Sequence, residues 1–409
     1  MSDERSVVVV GAGLGGLRVC EGLRRLGFDG SLTLVGAEDE HPYDRPPLSK
    51  EVLKGTRPNP PVLRGVDELA ELGLDLRVAS TALELDAVAQ QVRLADGEVI
   101  GYDVLVVATG ARPRPWAMGA GAGNVWTLRT AEDAAGIAAL IADRGRLAVL
   151  GAGFIGCEVA ASAREMGCDV TLLEMLPTPL SRVIGTEAGE EIARRHRAEG
   201  VDLRCGVTIE AVVVEQGRVT AIRLPDGAVI EVDGLVAGLG VVPNVEWVAS
   251  SGLLVDDGIV CNAVGETSHE SVYALGDVAR WVNVTSGRHR RVEHWTTTTE
   301  QAAIVAAQIA GGTHERRHLD EVPYFWSDQY GTKIQCLGEP SGTADVTVLH
   351  TGPNGDRPLF VYSRAGLMVG VLGFGLARVV MRLRPLLAER APVERALEVA
   401  AELHPVVPA

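Results

Sequence analysis

The sequence predicts an α/β chain built from two strand–turn–helix domains, the second inserted in the first, with an α+β domain behind them. Two observations carry the first part of that expectation. The glycine-rich turns Gly11-Ala12-Gly13-Leu14-Gly15-Gly16 and Gly151-Ala152-Gly153-Phe154-Ile155-Gly156 share one design and stand 140 residues apart. Each follows a short apolar run and opens a stretch of helical periodicity, the context of a Rossmann-like dinucleotide fingerprint. A third observation, the alternating apolar runs beyond residue 322, predicts antiparallel strands in the last domain.

Residues 6–36 read as a strand at 7–10, the first turn, a helix at 16–26 and a strand at 31–35. A buried-looking strand at 102–110 ends in small residues, and the Pro-rich 112–115 behind it reads as a crossover linker. The unit then repeats, with strands at 147–150 and 170–173 around a helix at 156–166. A matching strand at 234–240, followed by Pro243 and Asn244, marks the return to the first domain. Strands around 346–349 and 360–362 and two helices near 376–383 and 393–403 complete the chain. The expected domains are 1–111 and 245–321 for the first, 112–244 for the inserted one, and 322–409 for the last.

Composition bounds the function. The chain has 409 residues, and 38 basic against 54 acidic side chains leave a net charge of −16. That balance argues against general nucleic-acid binding. The polar start and the four-residue apolar run after it do not fit a secretory signal, and the uncharged stretch 365–377, with four glycines, is too short to span a bilayer. The expectation is a soluble cytoplasmic protein with no membrane or nucleic-acid partner. None of the six cysteines, at positions 20, 157, 168, 205, 261 and 336, forms a C-x-x-C or C-x-x-x-x-C pair. This predicts neither a redox-active disulfide nor a cysteine-ligated metal, and treats the thiols as small core residues.

Two fingerprints in one chain imply two dinucleotides bound together, and the usual reason is electron transfer between them. Glycines let backbone approach a pyrophosphate, and the helix start offers free N–H groups. Behind the first turn, Glu38 stands where a carboxylate accepts ribose hydroxyls. Behind the second, Glu174 ends a strand, where a carboxylate holds the adenine ribose and repels a 2′-phosphate, favouring NADH over NADPH. Arg182 downstream pulls the other way. The Gly276-Asp277 pair is by itself a turn, but near the resumed first domain its carboxylate suits a ribityl hydroxyl. In Tyr43-Asp44-Arg45-Pro46-Pro47-Leu48-Ser49-Lys50 the prolines fix an extended approach, Ser49 reads as a helix cap, and Lys50 begins the first turn. A cation at that place would stabilise a reduced flavin ring, with Glu158 as its counter-charge; the plain alternative is an exposed lysine and a surface acid.

With these strings assembled, the chain resembles the FAD- and NADH-dependent ferredoxin reductases of bacterial oxygenase and cytochrome P450 systems. The resemblance covers essentially the whole chain. It rests on GAGLGG (11–16), YDRPPLSK (43–50), ATGARPR (108–114), GAGFIGCE (151–158), YALGDVA (273–279), VEHW (292–295) and PYFWSDQYGTKIQCLG (323–338). It implies a glutathione reductase-like fold. It implies FAD held by Gly11, Gly13, Gly16, Glu38, Arg45, Lys50, Thr109, Gly110, Asp277 and Trp295, with Gly15 in the same turn. It implies NADH held by Gly151, Gly153, Gly156, Glu158 and Glu174, with Arg182 nearby. Lys50 and Glu158 then resemble the pair beside the flavin N5, where hydride arrives, and Trp326 a tryptophan on the route to the iron–sulfur partner or, alternatively, core packing. His294 is not expected to act as a general acid, since hydride transfer needs alignment more than a proton.

One departure stands out: Ala37 takes the place of an acid common among relatives. Cysteine is also missing from 46–49, where the disulfide reductases and the peroxidases of this fold carry it, so electrons are expected to leave the flavin directly. The implied partner is a [2Fe–2S] ferredoxin, bound transiently and electrostatically to a monomer or weak homodimer. Arg288, Arg290, Arg291, Arg316 and Arg317 are the expected docking rim, with Arg378, Arg382 and Arg384 a further basic group. Rubredoxin or nitrite-system reductases, and a redox-switched flavin protein of the apoptosis-inducing-factor type, are the alternatives.

Overall fold

The computed structural model describes residues 4–284, 287–311, 319, 322–351 and 356–403. In chain order, the first elements that position the site are β1 (Ser6–Val10), α1 (Leu14–Arg25), β2 (Ser31–Val35) and β3 (Val104–Val107). The inserted set is β4 (Arg146–Leu150), α2 (Phe154–Glu165), β5 (Asp169–Glu174), α3 (Ser181–Ala198) and β6 (Gly234–Ala237). Then come β7 (Val272–Ala274), α4 (Trp295–Ile309), β8 (Tyr324–Gln329), β9 (Thr332–Gly338) and β10 (Arg357–Arg364).

These residues cluster into two compact units. The first comprises Met1–Asp44, Pro61–Arg112 and Val241–Glu321. Its central sheet is parallel in the order β7-β3-β1-β2, closed by Asp75–Arg77. β-branched runs such as Val7, Val8, Val9 and Val10 are buried on both faces, as a covered parallel sheet requires. Each buried valine contributes about 1.5–2 kcal/mol. α1 packs on α4 so closely that a Cβ on Gly22 would meet the Ala306 Cβ at 2.7 Å.

The second unit comprises Arg45–Pro60, Pro113–Gly240 and Val322–Ala409. Its parallel sheet runs Asp202–Cys205, β5, β4, β6, Val125–Trp126. A separate antiparallel sheet runs β8, β9, Leu367–Phe374, β10, Asp345–Thr351. Residues 45–60 were expected in the first domain but cluster with the second, because Ser49 and Lys50 bond into α2. Part of the Pro-rich linker is strand, since Ala111–Pro113 pairs with Val241–Pro243.

The expected last domain, 322–409, has three helices among its described residues where two were expected. Ala377–Arg382 and Arg384–Ala388 are separate because Pro385 cannot donate to a continuing helix, and Val393–Leu403 follows.

Candidate active site

In each parallel sheet the strand order reverses beside the strand that leads into a glycine turn, β1 in the first unit and β4 in the second. Parallel strands deliver their following loops to one edge, so each reversal opens a crevice at the carboxyl ends. At the first crevice this brings together the turn 11–16, Glu38 after β2, Thr109 and Gly110 after β3, and Asp277 after β7. Gly11 has φ +119° and lies against the Ala108 carbonyl, where no side chain fits. Gly13 differs: nothing lies within 4 Å of where its Cβ would point, and α1 has no side-chain cap. Open space and unclaimed N–H groups fit a pyrophosphate.

Gly15 has a packing reason for its smallness, since a Cβ there would meet Leu275 at 2.6 Å and Thr298 at 3.0 Å. The Glu38 carboxylate accepts the Tyr43 hydroxyl. Thr109 donates its hydroxyl to the Asn244 carbonyl at 3.0 Å, and the Asn244 amide returns to the Thr109 carbonyl at 2.9 Å. Trp295 opens α4 and donates its indole N–H to Asp44 at 2.9 Å. Burial pushes the adjacent His294 imidazole down to about 4, against a smaller opposing pull from Asp277. His294 is therefore neutral at pH 7.

The second crevice repeats the design. Gly151 has φ +88° and Gly156 backs onto the Gly151 carbonyl, while the Cβ direction of Gly153 is open and α2 lacks a side-chain cap. Glu174 stands at the end of β5, where its carboxylate accepts Ala152 N–H at 2.6 Å and Leu176 N–H at 2.8 Å. It thus braces the turn. Arg182 is exposed on the first turn of α3.

The densest polar cluster of the second unit surrounds Glu158. Lys50 Nζ lies 2.7 Å from Glu158 Oε2, and the residues are 9% and 4% exposed. The expected cap is corrected here. Pro46–Ser49 is a short 3₁₀ turn with Lys50 just past it, and Ser49 donates to Glu158 Oε2 at 2.6 Å instead of capping. On the other carboxylate oxygen, Ser327 donates at 2.7 Å and Asp328 N–H at 3.3 Å. Ser162 ties down the Ser49 carbonyl at 2.7 Å. A buried pair of this kind persists because hydrogen bonds satisfy the remaining lone pairs. Lys50 and Glu158 are therefore neither exposed nor ordinary surface groups. Ser327 was not singled out in the sequence; its only signal was its place in the FWSDQ string.

Ser327 lies on β8, which alternates strictly. Phe325, Ser327 and Gln329 are buried, and Phe325 meets Phe154 of α2 edge-on at 4.8 Å. Tyr324 and Trp326 point the opposite way, stacked at 5.8 Å, with Lys333 Nζ 5.6 Å from the Trp326 ring. Trp326 is half-buried, apart from the Phe325 core. Arg45 also belongs to this unit and donates to the Arg129 carbonyl at 2.7 Å.

Arg291 leaves the expected docking rim. Its guanidinium is held by Glu293, by the Asp257 side chain and by the Asp277 carbonyl, which makes it a structural residue. Arg288 and Arg290 are exposed, and Arg316 and Arg317 lie outside the described residues. Five of the six cysteines are buried and all are free thiols. No helix among the described residues is long and apolar enough to cross a membrane.

A dinucleotide crevice at the reversal point of each of two parallel sheets defines a class of enzyme, one that moves electrons between two bound dinucleotides. Residues 5–302 match the family described as pyridine nucleotide-disulphide oxidoreductase, and residues 324–404 match the reductase C-terminal domain. The chain belongs to this family and is an oxidoreductase with FAD and NAD(H) as cofactors. It is 36% identical to rhodocoxin reductase of Rhodococcus erythropolis, over 95% of this chain and 90% of that one. It is 35% identical to putidaredoxin reductase of Pseudomonas putida, over 96% and 94%. Its structure superposes on putidaredoxin reductase in a covalent complex with putidaredoxin, with a TM-score of 0.91 and 32% identity over 98% of this chain and 99% of that one.

Proposed function

We propose that this chain is an NADH-dependent ferredoxin reductase. It takes hydride from NADH and passes electrons singly to a [2Fe–2S] ferredoxin serving an oxygenase or a cytochrome P450. The observation that carries this reading is the buried Lys50–Glu158 pair behind Pro46–Ser49, a segment without a thiol. Electrons on this chain have no cysteine relay there, so the acceptor draws directly on the flavin. Relatives named for rhodocoxin and putidaredoxin support a ferredoxin as that acceptor.

Bound FAD supplies the conversion between a two-electron donor and a one-electron acceptor. The chain's residues bind and orient. Gly11, Gly13 and Gly16 take the FAD pyrophosphate, Glu38 the ribose and Asp277 a ribityl hydroxyl, with Arg45, Thr109, Gly110 and Trp295 as further FAD-binding residues. Gly151, Gly153 and Gly156 take that of NADH, with Glu174 and Arg182 at its adenosine end. Lys50 offers a fixed cation to the reduced ring, and Glu158 neutralises and aims it, held by Ser49 and Ser327. Trp326 serves the electron exit. The encounter with ferredoxin is transient and electrostatic, by a monomer or weak homodimer in the cytoplasm, where free thiols persist.

Stopped-flow mixing of the yellow holoprotein with NADH, then with oxidised ferredoxin, tests the reading. The expected result is fast loss of flavin absorbance, then its return in one-electron steps as ferredoxin is reduced. Loss of absorbance without ferredoxin turnover would sink it and favour a redox-switched binding protein.

A further inference from the structure

α3 is not one continuous helix. Gly185 sits at φ +79° and ψ 175°, which separates the first turn, 181–184, from the rest. That turn is held from two directions. On one side Leu180, itself at φ +57°, donates its N–H at 3.0 Å to the carbonyl of Ala152 in the second glycine turn. Ala152 in turn donates its N–H to the Glu174 carboxylate at 2.6 Å. On the other side Tyr362 of β10, fully buried, donates its hydroxyl to the Ile184 carbonyl at 2.7 Å. The antiparallel sheet also grips α3 beyond the break. Arg195 reaches Thr332 Oγ1 at 3.3 Å and lies 4.7 Å over the Phe374 ring, and His196 Nδ1 shares a 2.7 Å hydrogen bond with Tyr330.

We propose that Tyr362 is a positioning residue for the pyridine nucleotide: it fixes the turn 181–184, which carries Arg182, beside the adenosine end of the second crevice. The proposal rests on the reading of that crevice as the NADH site. A single turn cut off by a glycine break has little order of its own, since an isolated helical nucleus is unfavourable. Tyr362 orders it before the nucleotide arrives. Without the hydroxyl, nucleotide binding must meet that ordering cost, and affinity falls accordingly. The nicotinamide end is untouched, because Lys50 and Glu158 are held by Ser49 and Ser327 and not by α3.

Two donors separate the ends. NADH carries the adenosine half; reduced nicotinamide mononucleotide lacks it. For Tyr362→Phe we expect the KM for NADH to rise roughly three- to tenfold, the effect of losing one buried hydrogen bond. The kcat at saturating NADH, the FAD content and kcat/KM for the reduced mononucleotide stay at wild-type values. An unchanged KM for NADH, or an equal loss with both donors, overturns the proposal. A second measurement reads the turn directly. In the nucleotide-free holoprotein the Val183 and Ile184 amides should exchange faster in Tyr362→Phe than in wild type, and equal exchange in the two would also overturn the proposal. If the wild-type flavin accepted electrons from neither donor, the NADH-site reading itself would fall, a result distinct from either of these.

Discussion

Ser327 and Glu158, 169 residues apart in the chain, meet at 2.7 Å between hydroxyl and carboxylate. The contact makes one strand serve two sides: β8 braces the Lys50–Glu158 pair through Ser327 and presents Trp326 on its opposite face. Removing the brace should therefore disturb the pair before it disturbs the fold. Ser327→Ala is expected to slow flavin reduction by NADH roughly tenfold, the equivalent of about 1.4 kcal/mol from a hydrogen bond to a charged group. Ser327→Thr should restore most of the rate. Glu158→Gln leaves Lys50 buried without its counter-charge and should cost about 3 kcal/mol of stability by urea unfolding as well. Wild-type reduction rates in Ser327→Ala would show that the brace is dispensable.

Glu174 braces the second glycine turn, because both its oxygens are engaged by backbone N–H groups of Ala152 and Leu176, and the proposed function also gives it the choice of nucleotide. Glu174→Arg should shift the NADPH-to-NADH ratio of kcat/KM upward at least tenfold, since repulsion of a 2′-phosphate becomes attraction. Absolute activity with NADH should fall, because the two backbone bonds go with the carboxylate. A ratio that does not move would take Glu174 away from the ribose.

His196 is fully buried, and burial pushes its imidazole from 6.5 down to about 4, with a smaller opposing pull from Gln329. The folded protein thus holds it neutral while the unfolded chain protonates it near 6.5. This contribution to stability is fully present above pH 6.5 and is lost as the pH falls from there toward 4, by about 3 kcal/mol in all. Urea unfolding at pH 7 and pH 5 should show the loss, and a His196→Gln variant should lose less. An identical difference in the variant would place the titration elsewhere.

The thiols should be inert in the folded protein. Burial pushes Cys20 and Cys261 up to about 12 and raises Cys157, Cys168, Cys205 and Cys336 too, and Cys205 alone is half-buried. A thiol reagent at pH 8 is expected to modify at most Cys205 in the native state and all six cysteines in urea. NADH-dependent electron transfer should continue unchanged after that treatment. Loss of activity on modification would revive a thiol relay.

Much of this site was legible in the chain because it is local. A glycine turn between an apolar strand and a helix carries its own signature, since only a backbone without Cβ approaches the Ala108 carbonyl at Gly11. The spacing of two such turns also announced the inserted domain. Glu174 was readable for the same reason, as the last residue of a strand that the turn precedes. The FWSDQ string marked β8 as special, but not which of its faces mattered.

What the sequence by itself determined is the set of parts: two dinucleotide turns, a cation at Lys50 with an acid at Glu158 to match it, and six unpaired thiols. Tertiary structure alone decided how the parts are held. It placed Ser49 on a carboxylate instead of a helix end, recruited Ser327 to the other oxygen of that carboxylate, took Arg291 out of the surface and set Tyr362 against the break in α3. The reason is physical. Local pattern encodes backbone conformation and burial, whereas a buried charge must find its hydrogen-bond partners in three dimensions, and those partners came from segments more than a hundred residues away.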